Sequence, residues 1–149
     1  LTTKPEEPPT PALRLLLVED NLVNQKVAQL ILKRLGYSSV DIANNGLEAI
    51  QAMERQNYQI VLMDISMPEM DGWEATHRIH ERWPPGQRPY IIAMTAYALR
   101  GDKEACLAAG VDDYVAKPVH PEELAAALER GKATSVASQA SAIKNSRGR

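Results

Sequence analysis

A parallel α/β sandwich is the fold this sequence predicts, and three observations carry the prediction. Short apolar runs such as Leu15-Leu16-Leu17-Val18 and Ile60-Val61-Leu62-Met63 lack alternation, as strands covered on both faces do. Segments with apolar residues at helical spacing alternate with those runs, which calls for a parallel sheet wrapped by helices. The runs also break on polar groups. Glu19-Asp20-Asn21 follows the first, and Asp64 ends the third, with Pro68 and Gly72 forbidding simple continuation.

The chain of 149 residues, 44% hydrophobic, is of single-domain size and can fill one core. A net charge of -2, with no basic stripe and no Phe, argues against nucleic acid or a membrane surface as an electrostatic partner. One cysteine, Cys106, excludes an internal disulfide and fits a reducing, cytoplasmic setting. Its neighbours Ala105, Leu107, Ala108 and Ala109 suit a buried structural thiol. No apolar run approaches the roughly 20 residues that span a bilayer.

Residues 1–12, rich in proline, are expected to form a flexible linker. The folded domain is expected over 13–131. After the first strand, Val23, Val27, Leu30, Ile31 and Leu35 recur at helical spacing, and Gly36 supplies a C-cap. Val40-Asp41-Ile42-Ala43 is a short strand, and Asn44-Asn45-Gly46 turns into a helix whose buried side is Leu47, Ile50 and Met53. The strand ending in Asp64 comes next. A helix beginning near Trp73 uses Ile79 and Trp83 and stops at Pro84-Pro85-Gly86. Tyr90-Ile91-Ile92-Ala93-Met94 is the fourth strand, ending on Thr95-Ala96, and a helix over Leu99–Ala109 closes at Gly110. Asp113-Tyr114-Val115-Ala116 is the fifth, followed by Lys117-Pro118. Pro121 opens a last helix, with Glu122 and Glu123 in its first turn and Leu124, Ala127 and Leu128 on its core face. The Ser- and Ala-rich residues 132–149 are expected to be disordered.

Five strands alternating with five helices, joined by right-handed crossovers, suit the flavodoxin-like doubly wound (βα)5 arrangement with sheet order 2-1-3-4-5. In that order the strands ending in Glu19-Asp20, Asp64, Thr95 and Lys117 are neighbours, so their polar ends meet at the carboxyl edge of the sheet. Three carboxylates there repel one another unless a cation sits among them, and an all-oxygen ligand set selects a hard divalent ion such as Mg2+ or Mn2+. With the cation and the Lys117 ammonium counted, the pocket is neutral and prepared for a dianion. Phosphoryl transfer asks for a nucleophile, a cation and hydrogen-bond donors. Asp64 can be the nucleophile, while Lys117 and the Thr95 hydroxyl can each hold a phosphoryl oxygen.

On these five motifs, spread from about Arg14 to Gly131, the chain resembles the receiver domains of two-component signalling, the response-regulator family. The resemblance implies that Asp64 accepts phosphate from the phosphohistidine of a histidine kinase or histidine-phosphotransfer domain. It implies that Asp20 and Asp64 bind magnesium directly, Glu19 through water, and the Ser66 carbonyl as a backbone ligand. It implies that Thr95, Ala96, Ser66 and Lys117 hold the phosphoryl group, that the Lys117-Pro118 bond is cis, and that Tyr114 turns inward as Thr95 moves. The face formed by the fourth helix, fifth strand and last helix then changes shape and regulates a partner, and a weak homodimer is allowed. Val18-Glu19-Asp20-Asn21-Leu22-Val23-Asn24-Gln25 and Met67-Pro68-Glu69-Met70-Asp71-Gly72 are most similar to receivers attached to hybrid sensor histidine kinases, whose parent chains can be membrane-anchored; a stand-alone regulator is the alternative. Glu19 stands where the first acid of the family is more often Asp. Ser66 and Tyr97 stand where the family tunes phosphoaspartate hydrolysis.

Two rivals bear on the same residues. A phosphatase with an aspartate nucleophile resembles Asp-x-Asp-x-Thr, whereas Ser66 stands two residues after Asp64. A binding-only pseudo-receiver would have lost the acceptor or the lysine. His77 and His80 could form half of a metal site, but a solvated helix face is the expectation, because no third soft ligand accompanies them.

Overall fold

The computed structural model describes residues 13–65, 72–84, 86–95 and 110–147, and structural statements below concern those residues. Five strands, β1 (Leu15–Val18), β2 (Val40–Ala43), β3 (Ile60–Asp64), β4 (Tyr90–Thr95) and β5 (Asp113–Ala116), form one sheet in the order β2-β1-β3-β4-β5. All neighbouring pairs are parallel, with Val18 opposite Ala43 and Met63, and Asp64 opposite Met94. Helices α1 (Leu22–Arg34), α2 (Gly46–Arg55), α3 (Gly72–Arg82) and α4 (Pro121–Arg147) surround it. The expected helix over Leu99–Ala109, with Cys106, lies outside the described residues.

Apolar side chains alternate across the sheet into two layers. Leu16, Val18, Val61, Met63, Ile91 and Ala93 pack with Ile50, Met53 and Ile79 of α2 and α3. Leu15, Leu17, Ile60, Leu62, Ile92 and Met94 pack with Leu32 of α1 and Leu124, Ala127 and Leu128 of α4. The interiors of β1, β3 and β4 are buried, so their unalternating apolar runs have their physical cause, while the outer strands β2 and β5 are partly exposed.

One expectation needs correction, and the helical tail adds to another. In α1 the buried residues are Gln25, Ala28 and Leu32, with Ile31 and Leu35 half-buried against the same layer. Val23, Val27 and Leu30, read as part of the core face, stand in solvent at 69%, 50% and 50% exposure. The helix carries two apolar stripes, and spacing alone does not say which one meets the sheet. At the other end of the chain, α4 remains helical to Arg147, through the stretch expected to be disordered. Between Lys132 and Arg147 the sequence has no Gly or Pro and is rich in Ala, the residue that favours helix most.

Gly131, taken as the end of the domain, lies inside α4, and a Cβ there would stand 2.8 Å from Tyr90 Cδ2 and 3.0 Å from Ile60 Cδ1. It is a point of close approach that seats the helix on β3 and β4. Gly36 does end α1: its φ of 97° is a left-handed conformation, and its N–H closes the helix on the Lys33 carbonyl.

Candidate functional site

Parallel strands leave their carboxyl ends together, and the polar groups that follow them collect there. Glu19 and Asp20 follow β1, Asp64 ends β3, Thr95 ends β4 and Lys117 follows β5. Glu19 and Asp64 are 3% and 2% exposed, while Asp20 faces solvent. One carboxylate oxygen from each of the three acids lies within 4.8 Å of the others. The Lys117 ammonium donates to Asp64 Oδ1 at 2.8 Å and sits 3.7 Å from Glu19 Oε1.

One ammonium does not balance three acids, and the imbalance shows in Glu19. Burial pushes its carboxyl up to about 7, the Asp64 charge and a hydrogen bond between the two carboxyl groups add to the rise, and the Asn21 N–H and Lys117 offset only part of it. Burial and the neighbouring Asp64 charge thus make the site one where a bound cation would favour the ionised form of Glu19. Three convergent oxygen donors with no nitrogen or sulfur ligand among them fit a hard divalent cation, Mg2+ or Mn2+.

Thr95 is buried, one register position beyond the Met94 that pairs with Asp64, and its carbonyl accepts the Lys117 N–H at 2.9 Å. Tyr114 is opposite Ala93 and packs half-buried against the α2–α3 layer. Alternation along β4 places Thr95 on the same sheet face as Ala93, hence as Tyr114. The Lys117–Pro118 peptide is cis. Ser66 and Ala96 lie outside the described residues.

The side chains that hold the acid loop were not legible as such in the sequence. Asn21 caps α1 by accepting the Asn24 N–H at 2.9 Å, and its own N–H donates to Glu19 Oε2 at 3.2 Å. Gln25 donates to the Glu19 carbonyl at 2.6 Å and to Asn44 Oδ1 at 2.8 Å. A signal existed: a glutamine at the position, three before Ala28 and seven before Leu32, that shares their helix face. The two α3 histidines do not converge. His77 is exposed beside Glu81, whereas His80 places Nε2 at 2.7 Å from the Gly110 carbonyl and Nδ1 at 2.5 Å from an Arg88 nitrogen.

Fold and site together define a class: a flavodoxin-like domain that presents clustered carboxylates, faced by one lysine, at the switch point of its sheet. The chain belongs to the response regulator receiver domain family, which it matches over residues 15–129. It is 46% identical over 121 residues to the hybrid signal transduction histidine kinase H of Dictyostelium discoideum, a match covering 79% of this chain and 9% of that protein. Among solved structures, it is similar to the receiver domain of a sensor histidine kinase from Pseudomonas aeruginosa, with 46% identity and a TM-score of 0.71 over 80% of this chain and 96% of that one. That structure has a magnesium ion coordinated in its active-site cleft. A second likeness, with 30% identity and a TM-score of 0.67 over 76% of this chain and 84% of that one, is to a Saccharomyces cerevisiae response-regulator receiver domain crystallised with a histidine phosphotransfer signaling protein. The chain is thus a receiver domain homologous to those of hybrid histidine kinases, of whose length it spans a small part. Among the described residues no helix is long and apolar enough to cross a membrane.

Proposed function

We propose that the domain takes a phosphoryl group from a phosphohistidine onto Asp64 and uses the modified carboxylate as a conformational signal. The observation that carries this is the Lys117 ammonium at 2.8 Å from Asp64 Oδ1, beside the converging carboxylates of Glu19 and Asp20. A carboxylate oxygen of Asp64 attacks phosphorus as the P–N bond breaks. The imidazole departs neutral because its other ring nitrogen carries a proton, and Asp64 is left as an acyl phosphate. Lys117 pairs with one phosphoryl oxygen and the Thr95 hydroxyl with another, with Ser66 and Ala96 completing the cradle. Asp20 and Asp64 would hold Mg2+ directly, Glu19 through water and Ser66 through its carbonyl. The bound ion supplies charge neutralisation on the transferring oxygens.

The added charge draws Thr95 and Lys117 toward the phosphoryl group, and Tyr114, on the same sheet face, fills the space that Thr95 leaves. Leu22, Val23, Val27 and Leu30 are exposed on α1, which begins directly after the acid loop, and give the phosphodonor protein an apolar surface to dock on. The relatives' names support a domain belonging to a hybrid histidine kinase.

Incubation with magnesium and acetyl phosphate, followed by intact-protein mass spectrometry, is the direct test. The expected result is one hydroxylamine-labile phosphoryl group, abolished by Asp64→Asn. No mass gain on the wild-type chain would leave a binding-only pseudo-receiver, and steady release of phosphate from phosphomonoesters would mark a phosphatase.

A further inference from the structure

Gln25 is buried, 6% exposed, and takes no part in the chemistry proposed above. Its side-chain nitrogen nevertheless meets two acceptors next to the acids, the Glu19 carbonyl at 2.6 Å and Asn44 Oδ1 at 2.8 Å. The polarity of this chain of contacts is set from its far end. Glu48 is an acceptor, and it takes both the Asn44 N–H at 2.9 Å and the Asn44 side-chain nitrogen at 3.0 Å. Asn44 must then turn its oxygen toward Gln25, and Gln25 must present its nitrogen to Asn44 and to Glu19.

The placement matters because Glu19 and Asp20 lie beyond the end of β1, where the strand ladder no longer fixes the backbone. The Glu19 N–H donates to the Ala43 carbonyl at 3.0 Å, and its carbonyl accepts from Gln25. That carbonyl belongs to the peptide plane joining Glu19 to Asp20, so gripping it fixes both the last dihedral of Glu19 and the first of Asp20. Those two dihedrals set the direction in which the Asp20 side chain leaves the loop. Both grips come from one corner of the fold, Ala43 directly and Asn44 through Gln25.

We infer that Gln25, held by Asn44, is a positioning residue for the cation site, fixing the Glu19–Asp20 peptide so that the two carboxylates stand ready to receive a divalent ion; this rests on the receiver chemistry proposed above. It touches neither the ion nor the phosphoryl group. Its loss should weaken cation binding and leave the transfer step intact once the cation is saturating.

Calorimetric titration of the metal-free chain with Mg2+, alongside acetyl phosphate labelling at graded Mg2+, tests this. Gln25→Met keeps the length of the side chain and removes the donor, and Asn44→Ala, at an exposed position, removes the grip on Gln25 together with one of the two hydrogen bonds to Glu48, whose bond from the Asn44 backbone N–H remains. The Mg2+ Kd should rise about tenfold in Gln25→Met, the low end of the effects seen when partners behind metal ligands are removed, and in the same direction by a smaller factor in Asn44→Ala, which leaves the Gln25 bond to Glu19 in place. The half-saturating Mg2+ for labelling should move in parallel, with the labelling rate at saturating Mg2+ within about twofold of wild type. An unchanged Kd in a folded variant, even with a lowered urea midpoint, would show that Gln25 only packs and would overturn the inference. Should Gln25→Met not fold, Asn44→Ala decides alone by the same criterion. A wild-type chain that binds no Mg2+ would instead overturn the receiver reading, and this inference with it.

Discussion

At the amino edge of the sheet, polar side chains meet partners that match them. Asp41 Oδ2 accepts from the Tyr58 hydroxyl and from Gln56, both at 2.6 Å, and Gln56 in turn accepts from Arg14 at 2.5 Å. Asp113 takes two hydrogen bonds from the Arg130 guanidinium, at 2.6 and 3.1 Å, and one from the Tyr90 hydroxyl at 3.2 Å. At the carboxyl edge the same residue types are arranged differently among the described residues: Lys117 faces Asp64 and Glu19, the exposed Asp20 converges on the same two acids, and Glu19 is pushed toward its protonated form. A fold gains stability from the first arrangement. Reactivity needs the second, because clustered acids draw in a cation, and the pocket that the cation neutralises can then accept a dianion.

If that contrast is right, changes at the two edges should separate activity from stability. Lys117→Met should have the largest effect, slowing acetyl phosphate labelling about 100-fold, the scale of losing one donor to a transition-state charge. Its Mg2+ Kd should not weaken, since an ammonium competing for Asp64 has been removed. A labelling rate within a few-fold of wild type would show that the lysine is not part of the chemistry. At the opposite edge, Gly131→Ala would force a methyl group to 2.8 Å from the Tyr90 ring. It should cost about 1–3 kcal/mol in urea unfolding, as overpacked cores do, and leave labelling unchanged.

The same contrast marks what the sequence made legible. Strand order, the acids at the strand ends and the lysine after β5 could be read because each is a local break in an apolar run, and parallel topology does the rest. The orientation of α1 could not be read that way. Val23, Val27 and Leu30 have the right spacing, yet Gln25 and Ala28 face inward, because burial is decided by what the neighbouring elements offer. A glutamine there finds the Glu19 carbonyl and Asn44, contacts that span from 6 to 19 residues of sequence. The tail is a related case. Its Ser- and Ala-rich composition, which suggested disorder, gives the backbone no reason to leave the helix that Pro121 begins.

The imbalance at the carboxyl edge should also be visible as pH dependence. Glu19 has a higher pKa in the fold than in the unfolded chain, so between its ordinary value of 4.5 and about 7 the folded state binds more protons. Stability of the metal-free domain should therefore fall as pH rises through that window, by up to about 3 kcal/mol. Magnesium should flatten the profile by replacing the proton with a cation, and should stabilise the domain more at pH 7 than at pH 5. Urea midpoints measured in chelator and in Mg2+ across that range would check both signs. A metal-free profile that is level or rises would mean that the acids are better balanced than their geometry indicates.

The smallest effect should come from Tyr58→Phe. Removing the hydroxyl takes one of two donors from Asp41 Oδ2 and one acceptor from Gln56, which still donates to Asp41 at 2.6 Å. A net loss of about 1 kcal/mol follows, the ordinary worth of a hydrogen bond whose remaining partner keeps another contact. Labelling rate and Mg2+ affinity should not change, because Tyr58 precedes β3 while Asp64 ends it, and the strand between them is buried along its whole length. A shift of more than about twofold in either would mean that strain at one end of β3 reaches the other. In that case the two edges would not be separable, and the matched charges of the amino edge would be part of the device that holds Asp64 in place.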